Sequence, residues 1–185
     1  QQTAYYGLVS ESGRQACYLF DENGSQGSEK QTNLWFGNYY IGAEGYQLTN
    51  VTHVEIDGVY YNFDSNGNSS VSTEGLFTDT DGKNYYLGTD GKPVINQFED
   101  VDGNTLYFGA DGSQQFSQWV EDEGERYYIG DDGYVVKNTE DTIIKGYYGS
   151  FDADGKWSAG AAGFVADDGK TFYCTESGKL AGPSD

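Results

Sequence analysis

Residues 81–91 read DGKNYYLGTDG and residues 102–112 read DGNTLYFGADG, two copies of one phrase set 21 positions apart. A turn pair, a short aromatic run and a second turn ending on glycine make up the phrase, and the pattern extends through the chain. The closing glycines are Gly24, Gly45, Gly67, Gly91, Gly112, Gly133, Gly155 and Gly178, separated by 21, 22, 24, 21, 21, 22 and 23 residues. A period in this range signifies a stacked repeat architecture, because a unit of about 21 residues cannot bury its apolar face alone. The expected fold is all-β: a repeat β-hairpin solenoid of about eight units, one array over residues 1–185. Residues 1–50 are expected as atypical N-terminal capping units, 51–143 as regular repeats and 144–185 as C-terminal units.

Each unit reads as a short meander. The pairs Asp57-Gly58, Asp81-Gly82, Asp102-Gly103, Glu123-Gly124 and Asp168-Gly169 precede aromatic runs and predict two-residue primed turns, whose twist matches that of a hairpin. The repeat glycine is expected at positive φ, where a side chain is opposed. No stretch carries sustained helical periodicity, so helix should be scarce.

Side chains alternate along a strand, and counting back from the glycine sorts the faces. Four positions back stand Phe20, Ile41, Phe63, Leu87, Phe108, Ile129, Phe151 and Cys174, all apolar. Six back, on the same predicted core face, stand Tyr18, Tyr39, Tyr61, Tyr85, Leu106, Tyr127, Gly149 and Phe172. Five back, on the predicted outer face, stand Leu19, Tyr40, Asn62, Tyr86, Tyr107, Tyr128, Ser150 and Tyr173. Between units most copies carry a further ring, at Trp35, Phe77, Phe98, Trp119 or Phe164.

Composition removes several functions. The 185 residues hold 30 acidic against 10 basic side chains, a net charge of −20. No basic cluster exists to neutralise phosphates, which argues against nucleic-acid partners, and the same charge argues against anionic membranes. No apolar run approaches the roughly 20 residues of a spanning helix. Aromatic residues reach 16%, far from the ring-poor composition of disordered acidic chains. With 17 Tyr and no Met, burial must come largely from rings. No basic-then-apolar leader stands at Gln1, so any export signal is expected to have been removed or to lie outside this sequence.

The segments DGKNYYLGTDG, DGNTLYFGADG and DGKTFYCTESG resemble the cell-wall-binding repeats of Gram-positive surface proteins. That superfamily takes in the glucan-binding repeats of glucansucrases, choline-binding repeats and the repeats of large clostridial toxins. The resemblance covers nearly the whole chain and implies a β-hairpin solenoid with sugar or choline pockets between hairpins. Choline-binding members place a Trp before the two tyrosines to cage a quaternary ammonium. Here that position is Asn84, Thr105, Arg126 or Thr171, so a complete cage is not expected. The resemblance therefore implies a non-catalytic, carbohydrate-binding, glucan-binding module of a secreted or cell-surface, cell-wall-bound protein, part of a larger multidomain chain. Its expected site residues are Tyr40, Tyr86, Phe98, Tyr107, Trp119 and Tyr128 as platforms, with Gln97, Gln118 and Lys92 as polar neighbours. The alternatives are a choline or teichoic-acid anchor, a host-glycan adhesin or toxin-type repeat, and a passive stalk.

Other chemistry is poorly supported by the residues. The runs Asp64-Ser65-Asn66-Gly67 and Asp152-Ala153-Asp154-Gly155 stop short of a calcium loop, and hairpin turns explain them without a metal. His53 is the single histidine, at what reads as an ordinary strand position, and no nucleophile motif accompanies it, so no catalytic residues are expected. No cofactor is implied. Cys17 and Cys174 belong to the first and last repeats and are expected as free thiols, Cys174 in a core slot.

Overall fold

The computed structural model describes residues 4–182 as twenty short β-strands, with no helix among them. Hairpins recur at the predicted places, including Val51–Ile56 with Val59–Phe63, Gln97–Val101 with Asn104–Phe108, Gln118–Asp122 with Glu125–Ile129, and Gly163–Asp167 with Lys170–Cys174. The chain forms two compact portions. One reaches Asp79 and takes in Leu87–Pro93; the other comprises Thr80–Tyr86 and the chain from Val94 onward.

The turn chemistry follows the sequence in most repeats. Both residues of Asp57-Gly58, Asp102-Gly103, Glu123-Gly124 and Asp168-Gly169 have positive φ, the geometry of a primed hairpin turn, and so do Ser12-Gly13 and Lys145-Gly146. Asp81-Gly82 departs from the expectation. Only Gly82 is left-handed there, and Asp81 Oδ1 accepts the N–H of Lys83 at 2.8 Å, so this pair closes a wider loop. All eight repeat glycines have φ between 73° and 85°. A second left-handed series at Asn33, Asn50, Asn96, Ser117 and Asn138 stands immediately before the first strand of a hairpin. Asn tolerates this conformation through local hydrogen bonding, a signal the glycine count alone overlooks.

The position four before the glycine forms the core. Ile41, Phe63, Leu87, Phe108, Ile129, Phe151 and Cys174 are at most 2% exposed, whereas Phe20 is half-buried. In the second portion Val120, Ile129 and Val135 pack together against Phe98, Tyr107 and Tyr127. Both cysteines are buried and free, and burial raises the Cys17 pKa.

Several repeats are stitched to their predecessors by the residue two past the glycine. Gln114, Val135 and Leu180 each bridge to the core residue of their own repeat, Phe108, Ile129 and Cys174. Their N–H groups donate to the preceding repeat, at Asn84, Thr105 and Gly146, each at 2.8 Å. Gln47 does the same in the first portion, bridging Ile41 and donating to Gln15 O at 2.8 Å. The acidic turns serve the backbone: Asp64 Oδ1 accepts from the N–H of Asn66 and Asn68, and Asp152 Oδ1 from those of Asp154 and Lys156.

Two expectations need correction. His53 does not occupy an ordinary strand position. It has φ 53° at a bulge between Val51 and Val54, its N–H donates to Asn62 Oδ1, and its ring stacks on Phe77 at 4.5 Å. The face six before the glycine is also not uniformly core. Tyr18, Leu106 and Gly149 are buried, but Tyr39, Tyr61, Tyr85, Tyr127 and Phe172 are half-buried.

Candidate functional site

Three grooves follow one plan, with a ring from the first strand of a hairpin as one wall and a ring from the next repeat as the second. The third wall is the residue two past the next repeat glycine. Cross-strand register fixes the first wall: Trp35, Phe98 and Trp119 each stand opposite a tyrosine, Tyr40, Tyr107 and Tyr128. The centroid separations within these pairs are 5.2, 4.8 and 5.2 Å.

The Phe98 groove is open. Phe98 faces Tyr127 at 4.9 Å, and with Val135, Asp100, Thr105 and Asp154 they line a cavity of about 210 Å³. Thr105 donates its hydroxyl to Asp100 and accepts from Lys137 Nζ at 2.7 Å, so acceptors, donors and a cation surround an aromatic pair. Tyr127 and Tyr107 both have a raised pKa, chiefly through burial.

The Trp119 groove is filled. Trp119 meets Tyr147 and Trp157 at 5.5 Å each, and Tyr147 meets Trp157 at 5.9 Å, with interplanar angles of 71°, 74° and 85°. Arg126 enters this box, its Cζ 4.5, 4.7 and 4.9 Å from the centroids of Trp119, Tyr147 and Trp157. The expectation of no complete cage is therefore corrected: three rings enclose a cation, and the cation is the chain's own. The sequence concealed the cage because its rings come from separate repeats. Gly149 occupies a position that the other repeats, Leu106 apart, fill with a ring, and a Cβ there would lie 2.5 Å from Trp157 Nε1. That missing side chain makes room for the indole.

The Trp35 groove has a third character. Trp35 meets Tyr61 at 5.0 Å, while Asn38, in the register position of Arg126, accepts a hydrogen bond from Ser69 Oγ at 2.7 Å. At the other extreme Phe164 is 75% exposed and meets Tyr173 edge-on at 5.5 Å. Near the N-terminal end Tyr46 lies between Arg14 and Lys30, 4.0 and 3.9 Å from its centroid. Lys30 also pairs with Glu11 at 3.0 Å. Hydrogen bonds from Tyr18 and then Lys30 hold the Glu11 carboxyl below its usual range.

The expected site residues are thus only partly assembled. Phe98 and Tyr107 share the open groove, and Tyr40 stands beside Trp35. Tyr86 is half-buried and packs against Phe108 at 6.0 Å. Tyr128 is only 5% exposed and serves as packing for Trp119, so it is not an outward platform. Gln97 and Gln118 donate to Glu99 and Gln115, each at 2.6 Å, and Lys92 lies 3.9 Å from Asp90. The residues overlooked were Tyr127, assigned to the core face, and Asp100, Thr105, Tyr147 and Trp157. Of these, only Trp157 carries a repeat-level signal, standing two past its glycine in the register of Val135.

No protein-family model matches the chain. Over 80 residues, 41% of this chain, it is 36% identical to a glucosyltransferase-I of Streptococcus downei, of which it spans 5%. Among solved structures, the choline-binding domain of CbpL from Streptococcus pneumoniae is 24% identical at a TM-score of 0.47, covering 98% of this chain and 100% of that one. An alternansucrase in complex with isomaltononaose is 23% identical at a TM-score of 0.32, covering 95% of this chain and 16% of that one. The eight repeat glycines recur in register at positive φ, and over 80 residues the chain is similar to a glucosyltransferase of which it spans a small part.

Proposed function

We propose that this chain is a non-catalytic carbohydrate-binding module of a secreted or surface-attached bacterial protein, holding glucan or wall polysaccharide in its inter-hairpin grooves. The open Phe98 groove carries the reading. Aromatic faces suit the apolar faces of pyranose rings, and Asp100, Thr105, Lys137 and Asp154 supply hydrogen-bonding groups for hydroxyls around them. Each groove is shallow and in competition with water, so a single site is weak. Several sites meeting a polymer of repeating epitopes raise the apparent affinity by roughly a hundredfold or more. The sequence identity to a glucosyltransferase supports glucan over choline, as does the occupation of the Trp119 cage by Arg126.

Retention on a panel of insoluble α-glucans, β-glucans and purified wall polysaccharide tests the proposal. Retention on a long polymer is expected, with weak competition by short oligosaccharides and none by choline. Flow-through from every polymer would leave the passive stalk, and elution by choline would reassign the ligand.

A further inference from the structure

Arg126 is unusual for a cation in so acidic a chain. Acidic groups outnumber basic ones three to one, yet no carboxylate among the described residues pairs with its guanidinium, although Glu121 lies opposite it in the strand register. The side chain instead turns into the three-ring box, equidistant from its walls to within 0.4 Å, the difference between 4.5 and 4.9 Å. The walls are nearly mutually perpendicular, so each presents its electron-rich face to one point. The fold also reserves space for this arrangement. Gly149 clears room for the Trp157 indole, and the turn at Gly178 seats against it, where an added Cβ would lie 2.6 Å from the ring.

The neighbouring groove is an internal control. Thr105 stands where Arg126 stands one repeat later, its short side chain leaves the Phe98 groove open, and Val135 takes the place of Trp157. In one repeat the groove's cation, Lys137, is tied to Thr105 and the ring set is incomplete; in the next a full ring set holds a cation over its faces.

We infer that Arg126 is a built-in ligand of a cation cage, and that its guanidinium is the specificity-determining group that shuts external quaternary ammonium ions out of the Trp119–Tyr147–Trp157 box. Guanidinium and tetramethylammonium are compact, weakly hydrated cations, and the same ring faces serve either. Free of Arg126, the box offers three faces to a diffusing cation in a strongly negative chain. This inference does not rest on the saccharide reading, and polysaccharide retention measured in parallel distinguishes a failure of one from a failure of the other.

Two experiments on the full chain test it. In the wild-type protein the Arg126 side-chain protons should resonate well upfield of random-coil values through ring currents, and tetramethylammonium chloride should produce no saturable change in tryptophan fluorescence. In Arg126→Ala, shown to be folded by its far-UV spectrum, the same salt should saturate the fluorescence change at a concentration lower by about tenfold or more than any wild-type response. Adding Trp157→Ala to that variant should abolish the gain. Should Arg126→Ala lose its fold, Arg126→Gln, which keeps a stem without the charge, takes its place in the titration. Random-coil shifts for Arg126, a wild type that binds as tightly as the variant, or a folded variant that stays unresponsive would each overturn the inference.

Discussion

The Phe98 groove and the Trp119 cage are built at the same place in successive hairpins, on the same floor of buried core residues, and they differ in a few side chains. Thr105 against Arg126 and Val135 against Trp157 turn an open, mixed aromatic and polar cavity into a closed box with its own occupant. In such an array the fold is set by the positions every repeat shares. Ligand chemistry is set by positions that are free to vary because the hairpin does not depend on them.

Substitutions in the shared floor should have the largest effects. Phe108 and Ile129 are both fully buried at the base of their hairpins. Phe108→Ala should cost about 3–5 kcal/mol and Ile129→Ala about 2–5 kcal/mol, read from urea midpoints. If one were nearly silent while the other unfolded the chain, the two hairpins would not be equivalent. The next largest effects belong to the third walls. Gly155 and Gly178 are left-handed and press on Val135 and Trp157, where an added Cβ would approach to 2.4 and 2.6 Å. Alanine at either should cost about 1–2 kcal/mol for the backbone and a further ~1–3 kcal/mol for overpacking. Gly155→Ala should impair polysaccharide retention as the open groove deforms, whereas Gly178→Ala should chiefly change tryptophan fluorescence. The reverse pattern would exchange the roles of the two grooves.

A smaller effect separates the first walls. Phe98→Ala should weaken retention by about two- to tenfold, the worth of one aromatic contact, without unfolding the chain. Trp119→Ala should change retention by less than about twofold, because Arg126 already occupies that box. Equal losses would show that the cage also takes sugar. The smallest effect concerns acid. Asp111, held by the Ser113 hydroxyl and N–H and then by Lys83, has its pKa lowered from 3.8 to about 2. Its folded pKa lies below the ordinary value, so its stabilisation is present above pH ~4 and is lost as the pH falls towards 2. Exposure of this carboxylate keeps the contribution small. An NMR titration of Ser113→Ala should show the Asp111 midpoint rising, and an unchanged midpoint would remove the Ser113 hydroxyl as a cause.

The fold was legible in the sequence because its determinants are local. A glycine at positive φ, a primed turn and an apolar residue four places earlier lie within a few residues of one another, and each recurs. The grooves were less legible because their walls lie in different repeats. Tyr127 was assigned to the core by strand alternation, which says which side a residue faces but not whether that side is covered. Tyr147 and Trp157 went unseen because Gly149 breaks the aromatic ladder and Tyr147 lies two positions earlier than the alignment from glycine predicts. Tyr128 looked like a platform until Trp119 was found lying across it. The bulge at His53 likewise depends on a partner strand, with Asn62 supplying the acceptor.

The backward stitch that ties several repeats to their predecessors gives the array a direction in time. Gln114 needs Asn84, Val135 needs Thr105 and Leu180 needs Gly146, and in each pair the acceptor precedes the donor in the chain by about thirty residues. During synthesis at about 5–20 residues per second, a repeat of some 21 residues leaves the ribosome every ~1–4 s, longer than a hairpin takes to form. Each new hairpin would therefore emerge to find its docking edge already displayed. Vectorial growth of this kind lets near-identical repeats avoid pairing out of order, since the correct neighbour is the one that has just been made.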